Sequence, residues 1–526
     1  MLRGSLPLAL LLVSLAGCPG GNGGLGEACH GNDDCGGGLQ CFASQCAPRC
    51  QRAPDCGDGY ACDDNGLCKL ATGQRGDLCS SEVDCAPSLA CRIDGAAIDP
   101  ATHHLQATCL EQARMRLSGD TCIQDSDCRN WTCALGRCVD LCRQPRDCAL
   151  GETCVEIPRV DANGALFAGC LPTQGSLSWS IPVTAPAAEV LLPVPAVARS
   201  VELVMAVDDP TQKVGAQRVL SPIGATIYTQ PCSPLLSTAD QPCEDNDAAD
   251  QYFGNFDPGR PDTGNQVRHR AALGQSVLLM PSALTTPLAT GDYVIKVASF
   301  RADGSGGSAI PRVTAVIKLD SGATLDLHFF FLDLTDHPCL DPGAVLNAGS
   351  AVSGAFQREY LAALRDVFTA PGVAIGDVTY EDITDRADLD GLDVANAGAL
   401  LSLGRYATGI NVFFVRSLSP LGIQAWGPNP GPAGLGGTPQ SGIAIGLDTL
   451  CYRRWPAVAR LTAYEIARYM GLYHNVELGT ARHPTWRDPI SDSGDTSSNL
   501  LYFSAAGGTE LSAGQAALLL RSAVLR

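Results

Sequence analysis

Twenty-five cysteines occur in this chain of 526 residues, and twenty of them lie in one stretch near the N-terminal end. These twenty form five units of four cysteines, and every unit begins with the pattern C-x4-D-C. The aspartate before the second cysteine recurs at Asp34, Asp55, Asp84, Asp127 and Asp147. A pattern that returns five times is an internal repeat. We expect five small units that contain too few apolar side chains for a core and are closed by disulfides.

A zinc site is the competing interpretation of these cysteines. The closest pairs are Cys46/Cys50 and Cys138/Cys142, and no C-x2-C occurs, so the sequence favours disulfides while leaving their connectivity open. A short aspartate side chain can accept backbone N–H bonds in a turn, and this is the role we expect for the repeated aspartate. The spacing loosely resembles that of Dickkopf-type cysteine-rich modules. The units run through residues 28–174 and are themselves candidates for adhesion or inhibition.

The first residues have the pattern of an export signal. Arg3 supplies a positive charge, and residues 6–15 are apolar but too few to span a bilayer. The run ends in Leu15-Ala16-Gly17-Cys18, which resembles the lipobox of bacterial lipoproteins. The resemblance implies a signal peptide over residues 1–17, a lipid on Cys18 and a glycine-rich tether over residues 18–27. An ordinary signal peptide beside an unrelated cysteine is the alternative.

The charge balance narrows the choice of partner. The chain has 36 Lys and Arg against 55 Asp and Glu, a net charge of −19. Phosphate backbones are bound by cationic side chains, so nucleic acid is excluded as a partner. The density of cysteines indicates an oxidising compartment. We therefore expect an exported protein in the bacterial envelope, with the outer membrane favoured, that contacts membrane lipid through Cys18 and binds a protein or peptide.

The middle region, residues 175–322, has the period of two that is typical of strands. Alternate apolar positions separated by Gly and Pro clusters predict an antiparallel β-sandwich, and the positions are Val201/Leu203/Met205/Val207, Tyr293/Ile295/Val297 and Val313/Ala315/Ile317/Leu319. Residues 291–297 resemble a late strand of bacterial pre-peptidase β-sandwich modules.

Cys232 and Cys243 are predicted to close a loop. The acidic stretch that follows can be either a calcium site or a solvated loop, and its members are Glu244, Asp245, Asp247 and Asp250.

The last region, residues 323–526, mixes strands and helices. Apolar runs predict strands at 324–334, 411–415 and 442–447, and a helical pattern covers 457–470, where Gly471 is suited to end the helix. A capping box of Ser512 and Gln515 begins the last helix. Cys339 and Cys451 are predicted to pair across this region.

The helix that Gly471 ends carries the motif that bears on function. Its residues Tyr464-Glu465-Ile466-Ala467-Arg468-Tyr469-Met470-Gly471-Leu472-Tyr473-His474 align with H-E-x-x-H-x-x-G-x-x-H, the zinc motif of the metzincin metallopeptidases, which the order of elements also resembles. In that motif two histidines on one helix face and a third after the glycine converge on zinc, and the glutamate polarises the bound water. The expected fold class is therefore multidomain: disulfide-rich loop modules, an antiparallel β-sandwich, and an α+β metzincin-like domain.

Two of the three ligand positions have changed. Tyr464 would have to ionise from a pKa near 10, and Arg468 keeps its positive charge and repels a cation, which leaves His474 as the one retained histidine. We expect Arg468 to fill the vacated space and pair with Glu465. Leu501 stands where the family's methionine turn has Met, and leucine can also pad the floor of a site. The sequence thus favours a degenerate site without zinc.

Two functions remain open at this point. The favoured hypothesis is a lipoprotein with a disulfide-rich stalk whose metallopeptidase-like domain is inactive and binds peptide by strand addition, or has a structural role in the envelope. The alternative is an active zinc peptidase, in which Glu465 is catalytic and His474, His483 and a carboxylate form a displaced metal site. Further polar residues are either candidates for such a site or ordinary surface and loop residues: His328, His337, Asp488, Asp492 and Asp495.

Overall fold

The computed structural model describes residues 27–526 with internal gaps. The gaps are 38, 43, 57–59, 63–65, 113–115, 161–163, 230–266, 270, 285–286, 302–303, 321, 333, 335, 479–484 and 503–506. Several predictions therefore fall outside the described residues: the signal peptide and Cys18, the Cys232–Cys243 pair, the acidic stretch that follows it, and His483.

The N-terminal part consists of five small units with short strands and single 3-10 turns. The strands are β1 (Gln40–Phe42), β2 (Gln45–Ala47), β3 (Tyr60–Cys62), β4 (Cys68–Leu70), β5 (Leu78–Cys79), β6 (Leu89–Ile98), β7 (Leu105–Glu111), β8 (Cys133–Ala134), β9 (Arg137–Cys138), β10 (Glu152–Pro158) and β11 (Leu166–Pro172). Every unit pairs its first cysteine with the third and its second with the fourth. The bonds are Cys29–Cys41, Cys35–Cys46, Cys50–Cys62, Cys56–Cys68, Cys79–Cys91, Cys85–Cys109, Cys122–Cys133, Cys128–Cys138, Cys142–Cys154 and Cys148–Cys170. The predicted disulfides are confirmed, and the structure supplies the connectivity that spacing left open.

The repeated aspartate closes a turn in each unit. Asp34 Oδ2 accepts the backbone N–H of His30 at 2.7 Å and of Gly31 at 3.0 Å. The aspartates of the other units accept backbone N–H bonds at the corresponding positions. These bonds to the charged form lower the pKa of Asp34. The role predicted for the aspartate is therefore confirmed.

This role gives a local test in the first unit. Asp34→Ala removes the acceptor of two backbone N–H groups, so the turn between Cys29 and Cys35 should open more readily. We expect Cys29–Cys41 and Cys35–Cys46 to be reduced about tenfold faster or more by dilute thiol, measured by alkylation and mass spectrometry. The matched control is Asp33→Ala at the exposed neighbouring aspartate. Equal reduction rates for the two variants would show that the aspartate does not stabilise the unit.

Contacts join units two to five to one another. Arg52 in the second unit donates to the carbonyl of Ala149 in the fifth at 2.8 Å, and Arg143 pairs with Asp84 of the third unit at 3.1 Å. Apolar side chains that the third to fifth units cannot bury alone are packed in one cluster with the sandwich that follows. Members of this cluster from the units include Ile93, Leu105, Leu141, Val155, Ile157, Phe167 and Leu171.

Two antiparallel sheets form the middle region. Their strands are β12 (Ser176–Ile181), β13 (Ala187–Val194), β14 (Ser200–Ala206), β15 (Lys213–Leu220), β16 (Thr226–Thr229), β17 (Arg268–His269), β18 (Ala272–Leu273), β19 (Gln275–Met280), β20 (Gly291–Phe300) and β21 (Arg312–Lys318). One sheet has the order β12-β21-β14-β19-β17. The other has the order β13-β20-β15-β16, with β18 also paired to β15. The alternate apolar positions predicted from the sequence face the core between the sheets.

The first of these sheets is buried on its other face as well. Glu202 of β14 accepts the backbone N–H of Ala433 at 2.9 Å, and Lys318 of β21 donates to the carbonyl of Leu525 at 2.7 Å. Both backbone partners, the N–H of Ala433 and the carbonyl of Leu525, belong to the C-terminal region. The sandwich and the C-terminal domain thus share a tight interface.

The C-terminal domain is built on a mixed sheet. Its strands are β22 (Thr324–Leu332), β23 (Ala374–Ile383), β24 (Gly391–Asp393), β25 (Ile410–Val415), β26 (Ser417–Ser419), β27 (Ala425–Trp426), β28 (Ile443–Gly446), β29 (Val476–Leu478) and β30 (Thr485–Arg487). The main sheet has the order β23-β22-β25-β28-β27. Its first three pairings are parallel, and only β27 runs antiparallel to its neighbour. Strand β27 lies at one end of this sheet, and no strand among the described residues pairs with its outer edge.

Among its described residues the domain has five α-helices: α1 (Ala348–Ala351), α2 (Ala362–Thr369), α3 (Gly398–Leu401), α4 (Trp455–Tyr469) and α5 (Ala513–Leu519). A π-helical turn, Phe356–Leu361, leads directly into α2, and one apolar face of this helical stretch is buried: Phe356, Leu361, Leu364, Val367 and Phe368. The predicted capping box of Ser512 and Gln515 begins α5. Cys339 and Cys451 are bonded to each other. None of the helices in the described part of the chain is both long and apolar enough to span a membrane.

Candidate functional site

Helix α4 positions the motif residues. Its apolar face, which includes Val458, Ala463 and Ile466, is buried in the core of the C-terminal domain. The helix ends where Gly471 has a positive φ of 107°. Residues other than glycine rarely adopt this backbone conformation. This turn brings His474 back toward the helix.

The three ligand positions of the motif meet at one point. The hydroxyl of Tyr464 is hydrogen-bonded to Nε2 of His474, and the two rings stack with centroids 5.4 Å apart. Nη1 of Arg468 donates to the same hydroxyl at 3.4 Å. The side chains at the three positions that align with the ligands of the motif therefore lie together.

Glu465 lies beside this cluster and is almost completely buried, with 5 % of its surface exposed. Burial raises the pKa of Glu465, and the positive charge of Arg468 opposes that rise. Arg468 is thus close enough to attract the Glu465 carboxylate electrostatically. Gly427 follows β27, and a Cβ atom added to it would lie 3.6 Å from Oε2 of Glu465. The glutamate therefore sits between α4 and the edge strand of the sheet.

A second arginine, which the motif does not include, contacts the tyrosine. The guanidinium groups of Arg460 and Arg468 lie 5.5 Å and 5.4 Å from the centroid of the Tyr464 ring. Arg460 is buried and donates to the carbonyls of Leu500 at 2.9 Å and Gly508 at 3.1 Å. Arg460, Tyr464 and Arg468 are spaced four residues apart on one helix, and this spacing is the sequence signal for their contact.

The sandwich contributes a residue, Arg268, that no sequence motif marks. Arg268 of β17 is 3 % exposed, donates to the carbonyl of Gly471 and the side chain of Asn429, and lies 3.9 Å from the centroid of the Tyr473 ring. A side chain at Gly471 would come within 2.3 Å of Leu279 in the same sheet. The sandwich therefore holds the turn that carries His474. No local sequence pattern connects residues about 200 positions apart.

Leu501, which stands where the methionine turn has Met, contacts the segment that follows His474. Its side chain is fully buried, and its carbonyl accepts the backbone N–H of Asn475 at 3.3 Å. Its own N–H donates to the side chain of Asn499 at 2.8 Å. Leucine at this position thus supports the segment that follows His474.

The other polar residues considered for a metal site are engaged in local structure. His328 bonds to Thr379 and to the carbonyl of Thr408, both at 2.8 Å, and His337 bonds to the carbonyl of Arg416 at 3.1 Å. The carboxylates of Asp488 and Asp492 accept bonds from neighbouring loops and from the start of α5, and Asp495 is exposed. Within the described residues, every group of three or more close metal-binding side chains consists of disulfide-bonded cysteines.

The side chains at the three ligand positions do not fit a zinc ion. A zinc site in a peptidase needs about three protein ligands. Here Nε2 of His474 is hydrogen-bonded to Tyr464, and Arg468 places a positive charge against the same hydroxyl. The arrangement is suited to holding a polar or anionic group rather than a cation.

Comparison of the sequence with models of protein families gives no match. Comparison with curated proteins finds no relative. Function is therefore argued from the geometry of this site.

Proposed function

We propose that residues 323–526 form a metzincin-like domain that has lost its zinc and binds an extended segment of a protein or peptide. The observation that carries the proposal is the meeting of Tyr464, Arg468 and His474 at one point. These three residues align with the ligands of a metal motif and lie together, and two of them, Tyr464 and Arg468, have side chains that oppose metal binding. On this proposal the domain has no peptidase activity.

The mixed sheet supports the likeness. Strand β27 is its one antiparallel strand and lies beside α4, where a metzincin has the strand that lines its cleft. Gly446 donates its N–H to the carbonyl of Gln424 at 2.9 Å. Since residues of an antiparallel strand alternate in direction, the N–H and C=O of Ala425 point away from β28. An extended peptide can therefore add to this edge, next to Glu465.

The proposal extends to the whole chain as an exported lipoprotein of the bacterial envelope. What supports export is the set of disulfides, which persist in oxidising compartments. What supports lipidation is the lipobox resemblance of the sequence that ends in Cys18. The outer membrane is the proposed location.

A proline at the strand edge tests the mode of binding. We expect Ala425→Pro to weaken, by about tenfold or more, the binding of peptides selected from a random display library on the immobilised full chain. Proline removes the outward N–H of the edge, while the ladder to β28 uses the neighbouring residues. Affinities are measured by calorimetry on the selected peptides.

The matched control is Ala425→Val, which adds bulk and keeps the N–H, and which should bind as the wild type does. Equal affinity for the proline variant would eliminate strand addition as the binding mode. Failure to select any peptide that binds the folded chain would remove the proposed function itself.

A further inference from the structure

The bond between Cys339 and Cys451 differs from the disulfides of the N-terminal units in its exposure to solvent. Every unit disulfide has at least one buried cysteine. In the C-terminal bond Cys339 is half-buried and Cys451 is exposed, so neither end is buried. A disulfide opens when a thiolate attacks one of its sulfurs, and the rate depends on access to that sulfur. Among the disulfides of the described residues, this bond is therefore the most accessible to a reductant.

The sequence around Cys451 also favours attack by an anion. Arg453 and Arg454 place two positive charges within three residues of this cysteine. Positive side chains stabilise a thiolate on a neighbouring cysteine, and they attract the thiolate of a reductant. Cys451 is thus the end of the bond at which we expect the attack.

The bond restrains the beginning of α4, the helix that carries Tyr464. Cys451 ends the 3-10 turn Leu447–Cys451, and α4 begins four residues later at Trp455. Arg454 is the N-cap residue of α4, and no side chain caps the helix there. Side-chain caps normally satisfy the first N–H groups of a helix and stabilise its first turn. Because α4 has no such cap, the covalent bond just before it is an important restraint on its position.

Hydrogen bonds hold the two segments together independently of the disulfide. Nε2 of His337, two residues before Cys339, bonds to the carbonyl of Arg416 at 3.1 Å. The backbone N–H of Asp448 donates to the same carbonyl at 3.0 Å. Neither contact involves sulfur, so both remain available when the bond is open. The two thiols would then stay at a high effective concentration, which favours re-formation of the bond by an oxidant.

We propose that Cys339–Cys451 is a reversible redox switch that fixes the beginning of α4 when oxidised and frees it when reduced. A thiolate of a dithiol reductant attacks Sγ of Cys451, which forms a mixed disulfide and releases Cys339 as a thiolate. The second thiolate of the reductant then attacks its own sulfur in the mixed disulfide, which closes the oxidised reductant and releases Cys451. Two electrons pass to the protein, and the cysteines take up the two protons that the reductant loses. This switch does not depend on the proposed peptide binding.

The first test is partial reduction of the folded full chain by dilute dithiothreitol. Free thiols are trapped with N-ethylmaleimide, and the labelled cysteines are mapped by mass spectrometry. We expect Cys339 and Cys451 to be labelled about tenfold faster or more than any cysteine of the units. Removal of the reductant and addition of oxidised glutathione should restore the bond. Unit cysteines that are labelled as fast as these two, or a bond that does not re-form, would overturn the proposal.

The second test is hydrogen exchange of the selectively reduced chain. We expect the amides of residues 447–458 to exchange about tenfold faster or more than in the oxidised chain, while those of β14 keep their rates. The double variant Cys339→Ser, Cys451→Ser should show the same change without a reductant. If this variant does not fold, the selectively reduced wild-type chain decides the question.

The matched control is the double variant Cys35→Ser, Cys46→Ser. It removes a disulfide of the first unit and should leave hydrogen exchange at residues 447–458 unchanged. If selective reduction of the C-terminal bond leaves exchange in this segment at its oxidised rate, the bond is labile but does not control the helix, and the proposal is overturned.

Discussion

The double variant Tyr464→His, Arg468→His is expected to bind one zinc ion per molecule. The hydroxyl at position 464 already bonds to His474, and the side chain at 468 reaches the same hydroxyl. Histidines at these two positions would place three imidazoles around one point, the number that a peptidase zinc site requires. The change also removes the guanidinium that repels a cation. The measurement is zinc content by mass spectrometry after dialysis, together with the rise in unfolding temperature when zinc is added.

The control for this experiment is Tyr464→His, Arg468→Gln. It removes the same hydroxyl and the same charge, but it supplies only two imidazoles and should hold zinc weakly. A folded double-histidine variant with no more zinc than this control would show that the three positions do not converge on a metal.

Stability is expected to fall as the pH rises from about 6.5 to about 8.5. Burial raises the pKa of Glu202 to about 7 and that of Asp488 to about 7. The folded state therefore holds these protons at a pH where the unfolded chain has released them. Their contribution is fully present below the unfolded pKa values of 4.5 and 3.8, and it is lost as the pH rises through 7. Burial also raises the pKa of Glu82, so its contribution to stability is likewise lost as the pH rises.

Other groups act in different pH ranges. Burial lowers the pKa of His269 to about 4, so its contribution is present above the unfolded value of 6.5 and is lost as the pH falls toward 4. The pKa of Lys318 is lowered from 10.5, chiefly by burial, which makes its contribution grow as the pH approaches that value. The buried carboxyl groups favour low pH and His269 favours higher pH, so we expect the greatest stability in mildly acidic solution.

The check is the unfolding temperature at constant ionic strength across this range. Asp488→Asn keeps the shape of the side chain without the charge and should flatten the decline, whereas Asp33→Asn, at an exposed carboxylate, should leave it unchanged. An unfolding temperature that rises from pH 6.5 to 8.5 would contradict the account.

Features set by local sequence were predictable. The C-x4-D-C spacing predicted five disulfide-closed units and the turn role of their aspartates. The apolar run at 411–415 became β25, which begins one residue earlier. The helical pattern that Gly471 ends became α4, with its start two residues before the predicted one. In each case the signal lies within a few residues of the structure that it predicts.

Features set by long-range contacts were not predictable in the same way. Glu202 and Lys318 occupy polar positions that alternation alone would leave in solvent, yet both are buried against the C-terminal domain. Arg268 reaches the site from a different domain, and the third to fifth units share a core with the sandwich. Single-sequence patterns report which face of a strand is apolar, but they do not report what packs on the other face.

The most direct test of the central claim is the zinc content of the folded wild-type chain. Because Tyr464 and Arg468 occupy two of the three ligand positions, we predict far less than one zinc ion per molecule after dialysis, and no cleavage of casein. One tightly bound zinc ion per molecule, with casein cleavage that a chelator abolishes, would contradict the account and establish the domain as a peptidase with a rearranged metal site.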